Sequence, residues 1–541
     1  MKRAGGKLIT TFGLLVLVSL AESPAMAGGK EAPAAAAARV AALIDARLAE
    51  VAERAGVSAA PPADDAEFLR RAYLDLGGRI PAVSEVRDFL RDPAPDKRRR
   101  KIDMLLNGPR YVSHFAQFWR QVLLPDNGGD ELGRFYLQAF ENWLQERLRD
   151  DTPYNVMVWD LLNVPLDNGD KQERVRRFTN DPSPLAFYQA RQVAPENLAA
   201  STARIFLGVR IECAQCHNHP FDVWKQEQFW GFAAFFAGIE RRSPDQGVFG
   251  RIDEIFDRRE IGIPGTGKVV QATYLDGSAP RWRFRVGSRQ TLADWITSAD
   301  NRYFSRMAVN RFWAHLFGRG LVEPIDDFTT SNLASQPALL DDLAREFVAQ
   351  GFDLKFLLRA IMTSQAYQRT SRKTGAGRDD PALFARMSVK ALTAEQVLAS
   401  LHQATGQQLP ASSGSVQNLG DPAESARADL LEAFEGETQP VTERPMTVLQ
   451  ALAMMNGGFT ARAVDSDRGR LLSAVLTDPA MQTSDRIDTL YLATLSRFPT
   501  SAERQRLLGY VQRDGAGHDA KQALGDVFWA LLNSTEFVTN H

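Results

Sequence analysis

Apolar residues recur at spacings of three and four along most of the chain, a period that predicts amphipathic helices and a mainly α fold. Val40 to Ala55 reads as a helix with Leu43, Leu48 and Val51 on its apolar side, after a linker from Gly29 to Ala38. Asp64 opens a second amphipathic helix through Phe68, Leu69, Tyr73 and Leu76, which stops at Gly77-Gly78, a glycine signal for a helix C-terminus. Pro81 and Ser84 open the next helix. Pro195 to Val209 carries Leu198, Ile205, Phe206 and Val209 on one side, and the helical pattern resumes at Thr291. Residues 241–286 differ. Val269 to Leu275 and Trp282 to Val286 alternate or carry β-formers, with Asp276-Gly277-Ser278 between them, which predicts a small sheet. Gln407 to Asp421 is polar and rich in Gly and Ser, the composition of a loop.

An internal repeat organises these helices. Tyr73-Leu74, Arg79, Pro81 and Glu85 recur at one constant offset as Tyr491-Leu492, Arg497, Pro499 and Glu503. Leu105-Leu106-Asn107 with Tyr111-Val112 recurs as Leu531-Leu532-Asn533 with Phe537-Val538, and a weaker echo is Ile361 to Ser364 with Tyr367. The expected fold class is therefore mainly α, with multi-helical modules related by an internal repeat and a small β insertion near 241–286. The expected division is a signal peptide at 1–27, a linker and short helix at 28–62, and a helical domain at 63–240. The β insertion at 241–289 and a helical C-terminal domain at 290–541 follow.

Composition narrows the class. The 541 residues are 44% apolar and 24% charged with a net charge of −2, so nothing points to a nucleic-acid or anionic-membrane partner. The basic run Lys97 to Lys101 reads as a solvated helix face. Lys2, Arg3 and Lys7, the apolar core Leu8 to Leu20 and the small-x-small site Ala25-Met26-Ala27 form an export signal. The apolar core is too short to span a bilayer comfortably, and no later stretch qualifies, so the mature chain is expected in the periplasm or at the cell surface with no membrane span.

The chain has two cysteines, and both lie in Cys213-Ala214-Gln215-Cys216-His217. Cys-x-x-Cys-His is the attachment signature of c-type haem. Two thiols three residues apart can each form a thioether with a haem vinyl group, and the adjoining imidazole meets the iron as proximal ligand. Attachment takes place outside the cytoplasm, in keeping with the export signal. Trp224, Phe229, Trp230, Phe232, Phe235 and Phe236 follow on an aromatic helix that offers an apolar wall. The expected cofactor is covalent haem c on Cys213, Cys216 and His217, the expected function is electron transfer, and the expected partners are redox or cell-surface proteins. For the second axial position, His114, His315, His402, His518, His541 and eleven Met are present. His315, on a helix with aromatic neighbours, is the distal candidate.

Other readings of the same residues stay open. A redox dithiol lacks the βαβ surroundings it requires. A local Cys213–Cys216 disulfide is a second. A third is a Zn or Fe site on Cys213, Cys216, His219 and Asp222, which would make the chain a non-catalytic metal-binding scaffold or interaction protein. Gly262 to Lys268 has the spacing of a phosphate loop, but Val269 replaces the Ser or Thr that would hold Mg²⁺, so a glycine-rich turn is the expectation.

These motifs resemble a pair of domains of unknown function common in exported planctomycete-type proteins, the first named cytochrome-like after its Cys-x-x-Cys-His. The first resembles Asp64 to about Ile239 through Phe68 to Leu76, Gly78-Arg79-Ile80-Pro81, Phe206-Leu207-Gly208 and Cys213 to Asp222. The second resembles about Gln290 to His541 through Asn310-Arg311, Trp313, His315, Phe317-Gly318, Gly320, Asp326-Asp327-Phe328, Trp529, Leu532-Asn533 and Asn540-His541. The resemblance implies a helical fold, export and the cytochrome label, and it implies no activity.

Overall fold

The computed structural model describes residues 33–124, 131–166, 182–220, 222–241, 252–329, 331–373, 380–407, 433–434, 447–466, 469–513 and 519–541. The export signal, most of the 407–421 loop and His518 lie outside the described residues. The fold is mainly α, with three two-stranded antiparallel sheets among the described residues. No helix among them is long and apolar enough to cross a membrane.

The first helix runs Pro33–Ala55, so it takes in much of the stretch expected as a linker. Alanine has the highest helix propensity, and its small side chain permits close packing. Ala36, Ala37, Val40, Ile44 and Leu48 are buried in the main core, against the Leu354–Thr363 helix. Leu43 and Val51 sit at the edge of that stripe. The next helix, Asp65–Gly77, starts where the Asp64 side chain accepts from the Glu67 amide at 2.9 Å and ends at Gly78, whose φ of 67° is left-handed.

The main core ignores the division into an N-terminal and a C-terminal domain. It is continuous from Ala36 to Met387. Tyr154 stacks on Phe304 at 4.9 Å, and Phe115 and Trp119 pack against Phe312 at 6.0 and 5.9 Å. A second core gathers Leu392, Val397, Leu401, Leu490, Phe528, Leu532 and Phe537 around Leu74 and Ile80 from the beginning of the chain. The strand Thr539–Asn540 pairs with Lys390–Ala391. The two halves therefore share both cores and a sheet.

The repeat is structural. Asp65–Gly77 and Val83–Arg91 correspond to Thr483–Leu495 and Ser501–Gln512. Arg79 donates to Ile80 O at 2.6 Å, ion-pairs Glu85 at 3.6 Å and lies over Tyr73 at 5.9 Å. Arg497 donates to Phe498 O at 3.1 Å, ion-pairs Glu503 at 2.9 Å and lies over Tyr491 at 5.3 Å. Asn107 and Asn533 each donate to the carbonyl four residues back, at 2.9 and 2.8 Å. The two units also touch, with Arg87 donating to Thr489 at 2.8 Å.

The β insertion is smaller than its sequence suggests. Ile239–Arg241 pairs with Ile252–Glu254, and Glu260–Gly262 pairs with Val269–Gln271. The phosphate-loop lookalike is the turn of this second hairpin, with Gly265 and Gly267 at φ of 73° and 69°. Trp282 to Val286 is not a strand. Its Trp282 packs on Phe235 at 6.1 Å and beneath Arg259 at 4.3 Å, so the β-forming residues there serve side-chain packing. The basic run Lys97 to Lys101 is a helix face ion-paired to Asp65, Asp92, Asp96 and Asp103.

Candidate functional site

The segment leading to the motif is rigidly placed. The helix expected over 195–209 is α-helical for Pro195–Thr202 and then widens into a π turn, Ala203–Leu207, a distortion that recurs at functional sites. Gly208 ends it at φ 69°, and a β-carbon there would stand 2.4 Å from the Phe328 ring. Phe328 N donates to Gly208 O at 2.7 Å. Asp326 takes Arg204 on one oxygen at 2.6 Å and Arg210 on the other at 2.5 Å. Asn310 shapes the loop that delivers these residues: its amide donates to Val322 O and Ile325 O and accepts from Val322 N, at 2.9, 3.0 and 2.9 Å. Asp326 to Phe328 from the C-terminal half thus clasp the lead-in to a motif in the N-terminal half.

Cys213 lies in a 3₁₀ turn, Glu212–Gln215, and Cys216 follows it. Ile211 and Ala214 anchor this turn in the core, each fully buried. The two cysteines are exposed free thiols. Trp230 Nε1 donates to Gln215 O at 3.0 Å, and Gln226 Nε2 donates to Gln215 O and Cys216 O at 3.2 and 2.9 Å. Gln226 N donates to Asn218 Oδ1 at 3.1 Å, and His219 N to Trp224 O at 2.8 Å. Gln226 and Asn218 are positioning residues that sequence reading missed. Their signal was a polar pair bracketing a short loop, too common to single out.

His217 is exposed, and its Nδ1 faces Asn218 O at 2.7 Å. A carbonyl oxygen only accepts, so Nδ1 carries the proton and Nε2 keeps a free lone pair. A backbone carbonyl on one ring nitrogen is the usual way a metal-ligating histidine is oriented. Burial raises the Glu212 carboxyl, opposed by Arg204 and Arg210 beside it.

The donor set fits a covalently attached haem: two accessible thiols three residues apart and an adjacent imidazole with its ligating nitrogen free. The expected aromatic wall is a correction. Phe229, Trp230, Phe232, Phe235 and Phe236 are all buried in the main core, because the helix Gln226–Ala233 and the turn after it bury their apolar faces against Pro195–Thr202. These rings support the motif from beneath and do not enclose a ligand. Asp222 turns back onto Val223 N at 2.8 Å. Among the described residues no three His, Cys, Asp or Glu side chains come together to hold a metal ion, so the structure does not assemble Cys213, Cys216, His219 and Asp222 into a Zn or Fe site.

His315 belongs to another cluster. Its Nε2 donates to Asp75 O at 2.9 Å, and its ring packs on His114, Phe115 and Phe118. None of these neighbours comes from 213–217. Burial, with Lys390 beside it, pushes His315 down to about 4. Burial and the His315 charge push His114 down to about 3. His402, buried on the Ala394–Thr405 helix, and His541, beside Glu536, are the other described candidates.

The centre of that cluster is Asp75, 1% exposed. Oδ1 accepts from Lys390 Nζ and Asn540 Nδ2, each at 2.7 Å, and Oδ2 from Tyr367 OH at 2.8 Å. Lys390 also donates to His315 O and Leu316 O at 2.8 Å. One turn earlier Arg71 pairs with Glu67 at 2.7 Å and donates to Tyr367 O and Arg369 O at 2.7 and 2.9 Å. Arg70 donates to Thr494 O and Phe537 O at 2.9 and 2.8 Å. Several residues that carry the family resemblance outside Cys213–His217, among them Arg70, Arg71, Asp75, His315 and Asn540, tie the two halves together.

Fold and site together define a helical protein of two interlocked modules that presents one exposed Cys-x-x-Cys-His turn. Residues 43–241 match the family model described as PSCyt2, Protein of unknown function (DUF1549), and residues 288–511 match PSD1, Protein of unknown function (DUF1553). The two matches fall in that order, the order of the pair its motifs resemble. No curated protein and no solved structure matches it.

Proposed function

We propose that this chain is an exported c-type haem protein that transfers electrons, with haem attached through Cys213 and Cys216 and His217 as its protein ligand. The observation that carries the reading is the His217 ring: its Nδ1 is committed to Asn218 O and its Nε2 is free, beside the chain's two exposed thiols. A bound haem supplies a one-electron couple at iron. The chain's own residues do the placing. Ile211 and Ala214 pin the turn, Gln226 and Trp230 hold its carbonyls, and the Asp326–Phe328 clasp fixes the approach. Exposure of the turn leaves the site open to attachment and to a protein partner, and the N-terminal signal supports a place in the periplasm or at the cell surface.

The test is haem staining of the full chain on a denaturing gel, after expression in a host with c-type haem attachment machinery. A stained band that disappears in the Cys213→Ala, Cys216→Ala double variant is the expected result. An unstained, colourless chain that still folds overturns the reading.

A further inference from the structure

Arg311 is a buried charge with no ion pair among the described residues. It lies on the Arg302–Phe317 helix and is 4% exposed. Its Nε and Nη1 have no hydrogen-bond partner, and no carboxylate among the described residues stands within ion-pairing distance. Other buried arginines are supplied: Arg70 and Arg71 by carbonyls and Arg289 by Glu254. Burial lowers Arg311, opposed first by Tyr154 and then by Asp326, and both oxygens of Asp326 are already taken by Arg204 and Arg210.

A guanidinium cannot shed its charge by losing a proton at any ordinary pH. Desolvating it without an acceptor costs several kcal/mol, on the order of the penalty for any unpaired buried ion. Cation–π attraction recovers part of this, since the guanidinium lies 5.8 Å from the centre of the Trp119 ring. Trp119 in turn stacks on Tyr154 at 5.3 Å. The polar atoms of these two rings, Trp119 Nε1 and Tyr154 OH, are also buried and unpartnered. Three neighbouring side chains from three helices thus carry buried polar atoms without a partner, Arg311 and Trp119 as donors and Tyr154 OH as donor or acceptor. An anion bound among such groups would supply the acceptor that the Arg311 and Trp119 donors lack.

We propose that Arg311, Trp119 and Tyr154 hold a small monovalent anion, of halide or nitrate size, inside the core. The anion supplies the missing acceptor, and it sits on the helix whose continuing loop carries the Asp326–Phe328 clasp. Bound to the folded chain and not to the unfolded one, it stabilises the fold by mass action.

The test uses the full chain and bromide as the probe. Thermal unfolding is followed against bromide concentration, with ionic strength held constant by a bulky organic anion. The melting temperature is expected to rise by about 1 °C per tenfold in bromide above half-saturation for a chain of this size, and Arg311→Met is expected to remove the dependence. Crystals grown in bromide should show an anomalous peak within hydrogen-bond distance of Arg311. A melting temperature indifferent to bromide in the wild-type chain overturns the proposal, as does a solvent peak at Arg311 with no anomalous signal, which is an ordered water only. Both of these readouts stand whether or not Arg311→Met folds.

Discussion

Two polar regions dominate this molecule, and they are opposites. The Cys213–His217 turn lies on the surface with its thiols and one imidazole nitrogen uncommitted. The Asp75 network lies in the interior with Asp75 fully engaged by Lys390, Tyr367 and Asn540. Both are made of residue types that carry chemistry: His, Cys, Asp, Lys and Tyr. What separates them is whether the reactive atoms are spent. In the network they are consumed in ties between chain segments about 300 to 470 positions apart, the spans of the Tyr367 and Asn540 bonds. In the turn they are left over, although the surrounding backbone is held firmly. Rigid backbone with unspent side chains is what a site needs. A saturated buried network is what a joint needs.

The largest expected effect comes from breaking the joint. Asp75→Ala leaves the Lys390 ammonium buried without its acid, a change expected to cost about 3–5 kcal/mol of stability. Urea unfolding measures it, and a loss under about 1 kcal/mol would mean that the network is not what ties the halves. The clasp on the lead-in to the turn comes next. Gly208→Ala puts a methyl group against Phe328 in a left-handed conformation, with an expected loss of about 1–3 kcal/mol. Phe328→Ala in the same background should recover part of that loss if the contact and not the backbone dominates.

Acid probes the joint by a different route. His114 and His315 have folded pKa values depressed below the unfolded one. The unfolded chain therefore binds protons first as pH falls, and stability is lost on going down from about 6.5 to about 4 for His315 and to about 3 for His114. Each histidine contributes a slope of up to about 1.4 kcal/mol per pH unit there. His114→Gln should flatten the fall, and an unchanged slope would remove the histidine pair from the account. The smallest stability effect belongs to the turn. Cys213→Ala and Cys216→Ala are expected to move the stability of the haem-free chain by no more than about 0.5 kcal/mol. A larger loss would make the turn part of the joint.

The sequence made the helices, the repeat and the motif legible because each is written in short-range spacing. It misrepresented Asp65–Gly77. A wheel drawn on that helix sends Arg70, Arg71 and Asp75 to solvent, yet they are 0, 1 and 1% exposed. Their partners, at Tyr367, Lys390, Thr494 and the final residues, are too distant in the chain for any local pattern to announce. The same blindness turned His315 into a distal ligand and the 224–236 aromatics into a wall. A residue type marks what chemistry is available, while burial and partners decide whether it is still free. The Arg204, Arg210 and Asp326 clasp was invisible for the same reason, and the boundary near 241–289 reads as a domain border although the cores run across it.

The most direct test of the central claim, that the exposed turn is where this chain does chemistry, is mass spectrometry of the peptide spanning Cys213 to His217. The chain is exported by a host that attaches c-type haem, then digested without reduction. The account predicts one haem on that peptide, bound through both cysteines. Two unmodified thiols, recovered from folded protein made under those conditions, would contradict it.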